Sequence, residues 1–181
     1  MKNVVILHGT GETDQSYWFP YAKRELEKKG YSVSIPLLPN PEEPDIKECL
    51  PIALKEIYTA ETILIGHSSG CAVILSILEN INVQVKQALL VSGYARPYGE
   101  KKEPLKILQD YYNWEKIKAN VSDLVFINSD NDPWGCNDVE GRYMLDHLGG
   151  KLIIMKGEEH MGSNTFNQPY KEFPFLLRLI V

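Results

Sequence analysis

The sequence predicts a three-layer α/β/α sandwich built on about six parallel strands, and three features predict it. Short runs rich in Val, Ile and Leu alternate with longer helical patterns along the whole chain. The runs scarcely alternate with polar residues, as strands covered on both faces should not. Strand-helix-strand repetition then calls for right-handed crossovers that place helices on both sides of one sheet.

In order, the strand runs fall at residues 4–7, 32–38, 62–65, 87–91, 124–127 and 151–155. Helical patterns fall between them, at 17–29, 44–59, 70–79, 104–119 and 139–148. The first helix closes on Lys28-Lys29-Gly30, basic residues followed by glycine, which is a C-terminal signal. Pro39, Pro41 and Pro44 stiffen the loop before the second helix, because each proline fixes its own φ and restricts its neighbour. No repeat, linker or low-complexity tract divides the 181 residues, so a single domain is expected over 1–181. The stretch between the fourth and fifth strands has room for one helix and a loop, too little for a large cap domain.

Composition narrows the partners. A net charge of −5 argues against nucleic acid and anionic membranes, which need clustered Lys and Arg. No apolar stretch is long enough to span a bilayer. The amino-terminal apolar run, residues 4–7, is too short for an export signal. Cys49, Cys71 and Cys136 form neither a disulfide framework nor a zinc-ligand spacing. Cys71 sits in an apolar helix pattern and reads as a buried thiol. A reduced, cytoplasmic enzyme is the expectation, with no cofactor and no metal.

If the chain is an enzyme, its chemistry should lie in loops at the carboxyl ends of the strands. After the third strand comes Gly66-His67-Ser68-Ser69-Gly70, a G-x-S-x-G between a buried strand and an apolar helix. That is the setting of a nucleophile elbow, in which the glycines allow a tight turn and the serine stands at its tip. Ser68 is therefore the candidate nucleophile. Serine needs a base, itself oriented by an acid, in the chain order Ser, Asp or Glu, His. His160 follows the sixth strand and Asp132 the fifth, so the order is right. Asp130, two residues earlier, is the second choice for the acid; Pro133 beside Asp132 favours the latter. His67 is expected to pack under the elbow, His8 to shape the first loop, and His147 to play a surface or structural part. Glu158 and Glu159 read as solvated loop charges. The backbone N–H groups of Thr10 and Ser69 are the candidate oxyanion hole. The loop Gly9-Thr10-Gly11 completes neither G-x-G-x-x-G nor a Walker loop, which disfavours a flavodoxin-like nucleotide or cofactor binder.

Three segments together carry a family resemblance: Gly66-His67-Ser68-Ser69-Gly70, the stretch from Trp114 to Asn120, and Ser129-Asp130-Asn131-Asp132-Pro133. Across essentially its whole length the chain resembles the small serine hydrolases related to retinoblastoma-binding protein 9. The resemblance implies a compact α/β-hydrolase fold lacking the first two strands of the larger fold. It also implies a triad on Ser68, Asp132 and His160. The family's glycine-rich first loop reads His8-Gly9-Thr10-Gly11-Glu12-Thr13 here. Trp134-Gly135-Cys136 follows Pro133 where an apolar residue and proline are usual, and Met161 follows His160 in place of an aromatic residue. These departures bear on the shape of the pocket.

The expected activity is carboxylesterase-like, on a small acyl substrate such as an ester, thioester or amide. The alternative is a catalytically silent protein-interaction module on the same scaffold. Tyr94, Tyr98, Tyr111, Tyr112 and Trp114 either line a pocket or, for Tyr111, Trp114 and Ile117, form the core face of a helix. Tyr17 and Trp18 either rim the pocket or anchor the first helix.

Overall fold

The computed structural model describes residues 2–98 and 104–181. Six strands form one parallel sheet in the order β2-β1-β3-β4-β5-β6. They are β1 (Asn3–Leu7), β2 (Ser32–Ser34), β3 (Ile63–His67), β4 (Val85–Val91), β5 (Val121–Ser129) and β6 (Lys151–Met155). Between and after them lie α1 (Phe19–Lys28), α2 (Ile46–Ala53), α3 (Ser69–Asn80), α4 (Trp114–Ala119), α5 (Asp138–Leu148) and α6 (Pro174–Arg178).

Period-two alternation along the strands feeds two separate cores. Val5, Leu7, Leu64, Leu90 and Phe126 point to the face covered by α2, α3, α4 and α5. Val4, Ile6, Ile65, Leu89 and Ile127 point to the opposite face, where Trp18, Phe19, Leu26, Phe173 and Leu176 bring α1 and α6. The sheet is thus buried on both sides, and α3, beneath the elbow, is buried from Ser69 to Leu78. Among the described residues, the connection from β4 to β5 holds only α4 and turns, with no cap domain.

Three elements are shorter than the sequence pattern suggests, each for a local reason. The strand expected at 32–38 ends at Ser34. Pro36 has no N–H for a ladder, and the Leu38 N–H donates to His8 Nε2 (2.9 Å) instead. The helix expected at 44–59 runs only from Ile46 to Ala53. Asp45 caps its start by accepting from the Lys47 N–H, and Tyr58 Oη donates to the Ala53 carbonyl at its end. The helix expected at 104–119 survives only as α4. Asn113 accepts from the Lys116 N–H as its N-cap, and Gln109 Nε2 donates to Ser76 Oγ and Glu79 Oε2, so the preceding turns are pinned to α3.

The core-face reading of Tyr111, Trp114 and Ile117 is accordingly corrected. Tyr111 is exposed, Trp114 half-buried and Ile117 buried, and it is Tyr112 that points inward. Tyr17 and Trp18 are buried and anchor α1. The Trp18 indole donates to the Met161 carbonyl (3.1 Å) and Tyr17 Oη accepts from the Asn164 N–H (3.1 Å).

Candidate active site

Because every strand is parallel, the loops after β1, β3, β5 and β6 all open at one edge of the sheet. The elbow forms there because the packing leaves no room for side chains at its glycines. A Cβ on Gly66 would lie 2.8 Å from Ile74 Cδ1, and one on Gly70 would overlap the Leu7 carbonyl. Between them Ser68 takes φ 53° and ψ −123°, a conformation costing about 1–3 kcal/mol that only surrounding structure sustains. The Ser68 N–H donates to the Val91 carbonyl (2.9 Å), which ties the tip to β4. Ser69 begins α3, so its N–H is one of the donors a helix start leaves free.

Asp132 and His160 meet. His160 Nδ1–H donates to Asp132 Oδ2 at 2.7 Å, with both side chains buried. Asp132 Oδ1 accepts from the Trp134 N–H (2.8 Å), so both carboxylate oxygens are held. Asp130 does not reach the histidine. It accepts from the Gly157 N–H (2.8 Å) and pairs with Lys156 (3.5 Å), and these bonds hold its carboxyl below the usual range. Asp130 thus braces the His160 loop. Burial is the main cause that pulls His160 below the ordinary imidazole value, against the hydrogen bond to Asp132.

Thr10 Oγ1 donates to Ser69 Oγ (3.0 Å), which ties the β1 loop to the start of α3. Among the described residues the Thr10 N–H has no acceptor, as an oxyanion donor requires.

The other histidines sort as follows. His8 Nδ1 donates to the Gly9 carbonyl (3.0 Å) while Nε2 accepts from Leu38, fixing the first loop. His147 stacks on Trp114 (4.7 Å) at the surface of α5. His67 is fully buried beneath the elbow, with Nδ1 2.7 Å from Glu12 Oε1 and Nε2 2.8 Å from the His160 carbonyl. Glu12, which sequence reasoning left unassigned, is thus a buried member of the site. Glu158 is likewise engaged, accepting from Tyr170 Oη (3.0 Å).

Asp132, His160 and Cys136 bring a carboxylate oxygen, a ring nitrogen and a thiol within 4.8 Å of one another. The Asp132–His160 hydrogen bond already engages Nδ1, and burial pushes the Cys136 thiol well above its ordinary value. Asp132 and His160 are thus committed to each other, and Cys136 is held as a thiol rather than the thiolate a metal takes.

A sequence model of the family described as serine hydrolase matches residues 4–178. The chain belongs to that serine hydrolase family. It is 30% identical to YdeN of Bacillus subtilis over 135 residues, which is 72% of this chain and 71% of YdeN. To the serine hydrolase RBBP9 of Rattus norvegicus it is 28% identical over 167 residues, 89% of this chain and 87% of the relative. The crystal structure of the Bacillus subtilis ydeN gene product superposes with a TM-score of 0.90 at 22% identity, covering 99% of this chain and 96% of the other. Esterase PE8 shares the fold at a TM-score of 0.63 and 18% identity, with 99% and 93% covered. The architecture is the α/β-hydrolase fold in a small form.

Proposed function

We propose that this serine hydrolase cleaves small carboxylic esters, thioesters or amides by acyl transfer to Ser68. The observation that carries the reading is the buried Asp132–His160 hydrogen bond, made at the same sheet edge as the strained Ser68 elbow. His160 Nε2 takes the Ser68 Oγ proton as the oxygen attacks the acyl carbonyl, while Asp132 fixes the tautomer and stabilises the imidazolium. The N–H groups of Thr10 and Ser69 receive the oxyanion. His160 then protonates the leaving group, and water, activated by the same imidazole, releases the acyl group.

Trp134 and Phe166 support an apolar leaving group. Both are half-exposed, their rings meet edge-on at 5.1 Å, and Trp134 lies 6.4 Å from the His160 ring. The lack of a cap among the described residues supports short acyl chains. Hydrolysis of p-nitrophenyl acetate and butyrate tests the reading. Both should be cleaved faster than long-chain esters, and Ser68→Ala should lose several orders of magnitude. Equal turnover by Ser68→Ala, or a preference for long chains, would refute it.

A further inference from the structure

His67 has a hydrogen-bond acceptor at each end of its ring. Nε2 faces the His160 main-chain carbonyl, which can only accept, so Nε2 carries a proton. Nδ1 faces Glu12 Oε1 at 2.7 Å, and the other oxygen of that carboxylate accepts from the Gly9 N–H at 2.6 Å. Both Glu12 oxygens therefore sit where a carboxylate, as an acceptor of two N–H bonds, is satisfied. Gly9 is wedged between this carboxylate and the nucleophile, since a Cβ there would lie 2.9 Å from both Glu12 Oε1 and Ser68 Cβ.

We propose that Glu12 and His67 form a buried ion pair, in which His67 protonated at both nitrogens is a positioning residue for His160. The inference rests on His160 being the base of the proposed reaction. His67 would act in two ways. Its Nε2–H, with Ser92 Oγ (2.9 Å), grips the His160 carbonyl. That grip holds a turn whose flanking residues Glu159 and Met161 both sit at φ 53°. Its positive charge also lies against the His160 ring, with centroids 4.9 Å apart, and disfavours a second charge there. His160 is thereby kept neutral and ready to accept the Ser68 proton.

The titratable groups around His67 are Glu12 from the β1 loop, Tyr17 ahead of α1, Asp132 from the β5 loop and His160 from the β6 loop. Cys71 of α3 also feels the charge of Glu12, but burial is the main cause that raises its thiol. Complete burial alone would pull His67 down, but the charge and hydrogen bond of Glu12, joined by the His160 carbonyl and Asp132, carry it above its ordinary value. At His160 the repulsion from His67 outweighs the attraction of Glu12. Removing the pair should therefore raise the pH at which His160 titrates.

The test is ¹⁵N NMR of the histidine rings in wild type and Glu12→Gln, beside the pH profile of kcat/KM. Glutamine keeps the shape and the bond from Gly9 but presents no charge. In wild type His67 should show both ring nitrogens protonated at neutral pH. In Glu12→Gln it should be neutral, and His160 should titrate at higher pH than in wild type, with the acid limb moving in step. A singly protonated His67 in wild type, or an unmoved His160 titration in Glu12→Gln, overturns the proposal. The NMR readout needs no turnover, so it stands even if the enzyme proves inactive on the esters tested. Should Glu12→Gln not fold, the wild-type spectrum decides.

Discussion

Replacing Asp132 by asparagine tests the triad more finely than removing it, because the structure dictates how the new side chain must sit. Asp132 Oδ1 accepts from the Trp134 N–H at 2.8 Å, so the amide oxygen of the introduced asparagine must take that place. The amide NH2 then falls where Oδ2 now receives the His160 Nδ1 proton at 2.7 Å. It can only donate, which forces His160 into the tautomer with its proton on Nε2, facing the serine it should deprotonate. The expected loss is about 10⁴-fold in kcat, the size found for the same substitution in a trypsin-like triad and worth roughly 5.4 kcal/mol. Steady-state hydrolysis of p-nitrophenyl acetate measures it. Thermal unfolding should be little changed, since the exchange is isosteric. Asp130→Asn serves as the control and should stay within a few-fold of wild type, because Asp130 is bonded to Gly157 and Lys156. If Asp132→Asn keeps a tenth or more of the activity, or Asp130→Asn loses as much, the assignment of the acid is wrong.

Two further outcomes are expected. The proposed mechanism needs neutral His160, and burial favours that form, so the acid limb of kcat/KM should have its midpoint below the ordinary value of 6.5; a midpoint above 6.5 would contradict the burial argument. Gly70→Ala should destabilise the protein by about 2–3 kcal/mol despite alanine's better helix propensity, because its Cβ would overlap the Leu7 carbonyl and come within 2.8 Å of His8 O. Calorimetry should show Tm lower by roughly 5–10 °C, and an unchanged Tm would mean that β1 and α3 are less tightly apposed.

Much of this site is legible in the sequence because its parts are local or ordered by topology. The elbow is five consecutive residues, and a parallel sheet sends the loops of Asp132 and His160 to the same edge whatever the side chains do. Choosing between Asp132 and Asp130 needs more, since both belong to one turn. What separates them is the Gly157 N–H on the neighbouring loop, 27 residues away, which engages Asp130. Glu12 is hidden for a similar reason. An acid in a Gly-rich loop carries no local mark of burial, and only the fold reveals that His67, 55 residues on, has buried it.

The helix pattern at 104–119 misleads because periodicity carries no record of Gln109 bonding to α3, nor of the cap at Asn113. The edge strand β2 is cut short by Pro36 and by the bond from Leu38 to His8. In each case a long-range hydrogen bond overrides the local pattern.

The central claim, that Ser68 is the nucleophile, is tested most directly by locating a covalent adduct. Purified protein treated with a fluorophosphonate and digested for mass spectrometry should carry the label on the peptide containing Ser68, with none on folded Ser68→Ala. An adduct on another residue, or no adduct on the folded wild-type protein, would contradict the account.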